Sequence, residues 1–134
     1  MIDNLDHLKR TIERLHEAEV PVSLFIEPEQ AQIDAASEIE TDFIEIHTGN
    51  YANAESEEDM FDELEKIRLA AKHAKKLGLG VNAGHGLNYQ NMKEFIAIED
   101  IDEVSIGQAV VARSVFVGLE KAVREMIELI RLAK

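Results

Sequence analysis

The chain has 134 residues, 46% of them hydrophobic, which suits a single domain with a packed core. Its formal net charge is −13, with 27 acidic residues against 14 basic ones, and this argues against nucleic acid or an anionic membrane surface as partner, since both are held by Lys and Arg. It contains no Cys, hence no disulfide framework, thiolate metal site or catalytic thiol, and no run approaches the ~18 apolar residues of a membrane span.

Aromatic residues make up 5% and Trp is absent, so the core must be aliphatic. The excess acid is expected on solvated helix faces. The polar start, Met1-Ile2-Asp3-Asn4, lacks an apolar secretory segment. The expectation is a soluble, cytoplasmic chain.

In chain order, Asp3 or Asn4 can cap a first helix with an apolar stripe of Leu5, Leu8, Ile12 and Leu15. Val20 to Ile26 reads as a strand that stops near Pro28, and Glu29 to Ala36 as a short helix. Thr41 to His47 is a second strand. Thr48 to Ser56 reads as loop, with Gly49 and Asn50 as turn residues. Ser56 can cap a long helix to about Lys76, with Met60, Leu64, Ile67, Ala71 and Ala74 on one face and Gly78 ending it. Leu79 to Ala83 is a third strand, Asn91 to Ile98 a helix, and Glu103 to Ile106 a short fourth strand. After Gly107 a helical run to about Val115 precedes a last helix from Gly118, striped by Leu119, Val123, Met126, Ile127 and Ile130.

Strands alternating with helices imply a parallel sheet. A small doubly wound sheet and part of a (βα)8 barrel both fit, and a whole barrel usually needs more than ~200 residues. Period 2 separates them. It sets Ile44 and Ile46 on one face of the second strand and Phe43, Glu45 and His47 on the other, with Ser23, Glu27, Asn82 and Ser105 as candidates for that polar face. A polar inner face suits a barrel lumen better than a sheet buried on both sides. The expected fold is therefore α/β, a (βα)4 half of a TIM-type barrel, as one half-barrel domain over residues 1–134.

Val81-Asn82-Ala83-Gly84-His85-Gly86-Leu87-Asn88-Tyr89 crosses the carboxyl end of the third strand, where parallel α/β folds place their chemistry. Gly84 and Gly86 let the backbone approach a ligand, and between them stands one imidazole able to move a proton near neutral pH. His85 as a plain turn residue remains an alternative. The five His show no H-x-x-x-H or H-E-x-x-H spacing, so no metal site is expected. His7, His16 and His73 read as solvent-facing or packing residues, and His47 as a satisfied lumen histidine.

Val22-Ser23-Leu24-Phe25-Ile26, Phe43-Ile44-Glu45-Ile46-His47-Thr48-Gly49 with Tyr51-Ala52, Asn82 through Tyr89, Ile106-Gly107 and Ala112-Arg113-Ser114-Val115-Phe116 together resemble the pyridoxine 5′-phosphate synthase family, in order and spacing. The resemblance covers the whole chain but only the second half of the family's barrel. It implies vitamin B6 biosynthesis: a transferase that condenses 3-amino-2-oxopropyl phosphate with 1-deoxy-D-xylulose 5-phosphate, without metal or organic cofactor. It implies His85 as proton donor, Glu45 as transition-state stabiliser, Gly86 as a substrate contact, and Gly107 with Gln108 as a phosphate-binding turn. Gln108 departs from the His associated with many members; Gln can donate to a phosphate but cannot titrate.

The residues themselves are compatible with these roles. Glu45 on the lumen face suits a developing positive charge, although a structural pair with His47 or an Arg is the competing reading. Gly107 before a helix offers free amide groups to a phosphate. The resemblance also implies first-half bases and Arg and His substrate contacts that no segment here supplies, so little or no ring closure is expected from the chain alone. Two open strand edges and an uncovered lumen face predict association, most economically a homodimer or higher even oligomer. A self-associating half-barrel without turnover and a residual phosphate-binding module are the competing readings.

Overall fold

The computed structural model describes residues 4–132. The first helix, α1 (Leu5–His16), buries Ile12 and half-buries Leu5, Leu8 and Leu15, the expected stripe. Asn4 stands at its N-cap without a side-chain cap bond, and Asp3 lies outside the described residues. Then follow β1 (Ser23–Ile26), α2 (Gln30–Glu38), β2 (Phe43–His47), α3 (Gly49–Ala52), α4 (Glu57–Lys76), β3 (Gly80–Gly84), α5 (Met92–Phe95), β4 (Glu103–Ser105), α6 (Gln108–Val117) and α7 (Leu119–Arg131).

Several boundaries differ from the sequence reading. β1 begins at Ser23 rather than Val20, because Val20 N–H bonds back to Leu15 O at 3.0 Å to close α1, and Pro21 has no N–H to give. The stretch read as loop after Thr48 contains α3, whose turn closes through Ala52 N–H to Thr48 O at 2.9 Å. Its Tyr51 is buried, and its hydroxyl donates to Asn91 O at 2.6 Å, so tertiary packing overrides the turn character of Gly49 and Asn50. α5 is shorter than Asn91 to Ile98; the chain beyond Phe95 continues in tighter i to i+3 bonds, such as Ile98 N–H to Phe95 O at 3.1 Å. Ser56 does cap α4: its Oγ accepts from Asp59 N–H at 3.0 Å.

All four strands are parallel and lie in the order β1-β2-β3-β4. Sequential order is that of half a (βα)8 barrel; a doubly wound sheet reverses direction at a switch point. The register aligns Leu24, Ile44 and Val81 in one row and Ile26, Ile46 and Ala83 in another. Ile44, Ile46, Val81 and Ala83 are wholly inaccessible and pack with Ile33 and Ala36 of α2 and Ile67, Ala70, Ala71 and Ala74 of α4. The opposite face carries Ser23, Phe25, Phe43, Glu45, His47, Asn82, Glu103 and Ser105 in register. There Phe25 and Phe43 remain 57% and 38% exposed, so helices cover only one face.

α7 departs from its expected stripe. Ala122 and Met126 are its buried residues, whereas Leu119, Val123 and Ile127 are exposed. The helix packs through Ala122, Met126 and the half-buried Ile130, so the expected stripe holds at Met126 and Ile130 and fails at Leu119, Val123 and Ile127.

Candidate active site

The uncovered face converges at the carboxyl ends of the strands. From β1, Glu27 follows the strand on the face of Phe25. Its Oε1 lies 2.7 Å from His47 Nδ1 of β2, so the carboxylate fixes which ring nitrogen carries hydrogen. Phe25 meets the His47 ring edge-on at 5.2 Å between centroids, and His47 in turn meets the His85 ring at 4.7 Å. His47 is thus a partnered lumen histidine.

Glu45 leans from β2 across β3. Gly84 permits this, since a side chain there would collide with Glu45 Oε1. Ser105 Oγ of β4 donates to Glu45 Oε2 at 3.3 Å. The pairing of Glu45 with Arg or His47 that the sequence left open is replaced by this hydroxyl contact. Between Glu45 and Glu103 in register stands Asn82, whose Oδ1 is buried without a hydrogen-bond partner.

His85 is exposed and opens the turn after β3, with Gly86 next to it; both have positive φ, +84° and +83°. Asn91 Nδ2 donates to Gly86 O at 3.1 Å, and Asn91 Oδ1 accepts from Asn88 N–H at 2.8 Å, so the turn is held from its far side. Beneath it Tyr51 is held against Asn91; burial and the nearby Glu94 carboxylate push its hydroxyl pKa up to about 12, so it stays a proton donor at physiological pH.

Gly107 is the N-cap of α6. The first intrahelical bond runs from Val111 N–H to Gly107 O at 3.0 Å, so the amides of Gln108, Ala109 and Val110 precede it, as at any helix start. His85, Gly86, Gly107 and Gln108 line one cavity of about 500 Å³, together with Asn53 and Ser105. Glu45 reaches that cavity through Ser105.

The geometry adds residues that the sequence reading did not select: Thr48, Asn53, and the Asn88–Asn91 pair. The spacing of Asn88 and Asn91 on either side of a turn was an available signal, while Thr48 and Asn53 offered none. Away from the cavity, His16 pairs with Asp42 at 2.8 Å and His73 with Asp34 at 2.6 Å. Hydrogen bonds from Val22 N–H, foremost, and from His16 hold the Asp42 carboxyl below its ordinary range.

The family described as "Pyridoxal phosphate biosynthesis protein PdxJ" matches residues 1–132. Among curated relatives, the pyridoxine 5′-phosphate synthase of Colwellia psychrerythraea is 48% identical over 134 residues, covering 100% of this chain and 54% of the relative. That of Geobacter sp. strain M21 is 52% identical over 126 residues, 94% of this chain and 53% of the relative. That of Chlorobium phaeobacteroides is 52% identical over 124 residues, 92% and 52%. The chain spans about half the length of these relatives. With a match running over nearly its whole length, the chain belongs to the PdxJ family of pyridoxal phosphate biosynthesis proteins.

Proposed function

We propose that this chain supplies the proton-donor and phosphate-binding half of a pyridoxine 5′-phosphate synthase site. The reaction is the condensation of 3-amino-2-oxopropyl phosphate with 1-deoxy-D-xylulose 5-phosphate, with release of inorganic phosphate and water and no metal or organic cofactor. The observation that carries this reading is the single cavity shared by His85, Gly86, Gly107 and Gln108. In it, the α6 amides and the Gln108 side chain hold a phosphate, as free helix-start donors do. Gly86 keeps the wall low enough for substrate to approach the backbone. His85 passes a proton to the leaving oxygen, and the Glu45 carboxylate opposes positive charge developing on the nitrogen. The reading treats 1–134 as one half-barrel domain working in the cytoplasm, with the remaining bases and cationic contacts supplied by a complementary half.

The exposed lumen aromatics favour a second reading, in which two copies close on each other as a homodimer or higher even oligomer without turnover. The site itself is tested by titrating the chain with inorganic phosphate and following amide NMR shifts. Shifts concentrated at Gly86, Gly107 and Gln108 are expected, with smaller ones after Gln108→Ala. Uniform or absent shifts at these three residues would remove the phosphate-binding assignment.

A further inference from the structure

Thr48 is wholly buried, and it directs its polar groups at the turn that carries His85. Its N–H donates to Gly84 O at 2.9 Å. Its Oγ lies 2.7 Å from Gly84 O and 2.7 Å from His85 O, so one hydroxyl hydrogen is shared between two carbonyls. His85 itself sits at φ +84°, a backbone conformation that an L residue adopts only at a cost and only when its surroundings impose it. Gly84 O keeps the Thr48 amide even without the hydroxyl. The hydroxyl therefore matters chiefly for the His85 carbonyl.

The ring has neighbours of its own. It meets His47, which Glu27 anchors, and a side chain at Gly49 would press on both imidazoles. Thr48 and Gly49 thus lie directly behind the proton-transfer group.

We infer that Thr48 is a positioning residue: its hydroxyl holds His85 in the left-handed backbone conformation that aims the imidazole into the phosphate cavity. This rests on the assignment of His85 as the proton donor. Removing the hydroxyl lets the peptide at residue 85 rotate toward negative φ and swings the ring away from the substrate. Misplacement of a catalytic group on this scale costs about tenfold to a hundredfold in rate.

The test uses Thr48→Val, which keeps shape and loses the hydroxyl, and Thr48→Ser, which keeps it. Two readouts are taken. One is the one-bond Cα–Hα coupling at His85 in this chain, which separates positive from negative φ. The other is turnover after mixing with the separately made first half of the Colwellia psychrerythraea synthase. Thr48→Val is expected to change the coupling at His85 and to lower kcat about tenfold to a hundredfold with KM unchanged. Thr48→Ser is expected to restore both. An unchanged coupling in Thr48→Val overturns the inference, as does an altered coupling with kcat within about twofold of the parent mixture. If the parent mixture shows no turnover, the catalytic reading fails by itself, and the coupling still decides the role of Thr48. Should Thr48→Val not fold, Thr48→Ala gives the same two readings.

Discussion

At the scale of single residues, the site is built by spending stability on orientation. His85 would be more comfortable as glycine: left-handed φ costs an L residue about 1–3 kcal/mol, and the extra unfolded-state freedom of glycine returns about 0.5–1 kcal/mol of that gain. His85→Gly is therefore expected to raise the stability of the chain by about 1 kcal/mol, read as a higher midpoint in urea. A lower midpoint would show that the His85 ring contributes more through its contact with His47 than its backbone costs. His85 was legible in the sequence because a lone imidazole between two glycines follows an apolar run. Thr48 was not, because the carbonyls its hydroxyl serves belong to residues 36 and 37 positions further along. The Glu27–His47 contact likewise spans 20 positions, and only the shared strand phase hinted at it.

Among the elements, the strands are pinned at their amino ends by a repeated clasp. Asp42, just before β2, gives its N–H to Val22 O at 3.1 Å and takes Val22 N–H on Oδ2 at 2.6 Å. Asp102, just before β4, does the same with Val81: N–H to O at 2.7 Å and Val81 N–H to Oδ2 at 2.8 Å. Each carboxylate fixes the register of its strand against the preceding one, opposite the candidate active site. Asp42→Ala is expected to destabilise the chain by about 1 kcal/mol at neutral pH. The Asp42 carboxyl is held below its ordinary value of 3.8, so its contribution is complete above that pH and disappears as pH falls through the lower folded-state value. The gap between parent and Asp42→Ala should accordingly narrow below pH 3.8 in acid unfolding; a gap that persists unchanged would mean the carboxylate charge is irrelevant to the clasp.

Strand phase was legible because period 2 in Phe43-Ile44-Glu45-Ile46-His47 admits only one division between an aliphatic face and a polar one. α3 was not, since Gly49 and Asn50 carry turn propensity and only the burial of Tyr51 winds them into a helix. The stripe of α7 holds at Met126 and Ile130 but not at the other three positions, because periodicity finds an apolar face but does not say which neighbour covers it. Leu119, Val123 and Ile127 lie exposed, as do Val111, Val115 and Phe116 of α6.

The whole molecule has the order of a barrel without its circumference. β1 and β4 each pair on one side only within the four-stranded sheet, and the lumen face shows Phe25 and Phe43 to solvent. Open edges of this kind invite pairing with further strands. The lumen residues described above include three carboxylates, Glu27, Glu45 and Glu103, so a partner bringing basic groups fits the face electrostatically better than a second copy would. This is the electrostatic support for the proposed complementary half. The family was legible from short motifs in register.

Turnover of an equimolar mixture of this chain with the first half of the Colwellia psychrerythraea synthase, against each half alone and with native mass recorded in parallel, tests this most directly. A one-to-one complex that forms pyridoxine 5′-phosphate is expected, with no product from either half alone and none from the mixture made with His85→Ala. Product from this chain by itself, or a one-to-one complex that remains inactive, would contradict the assignment of half a synthase site to this chain.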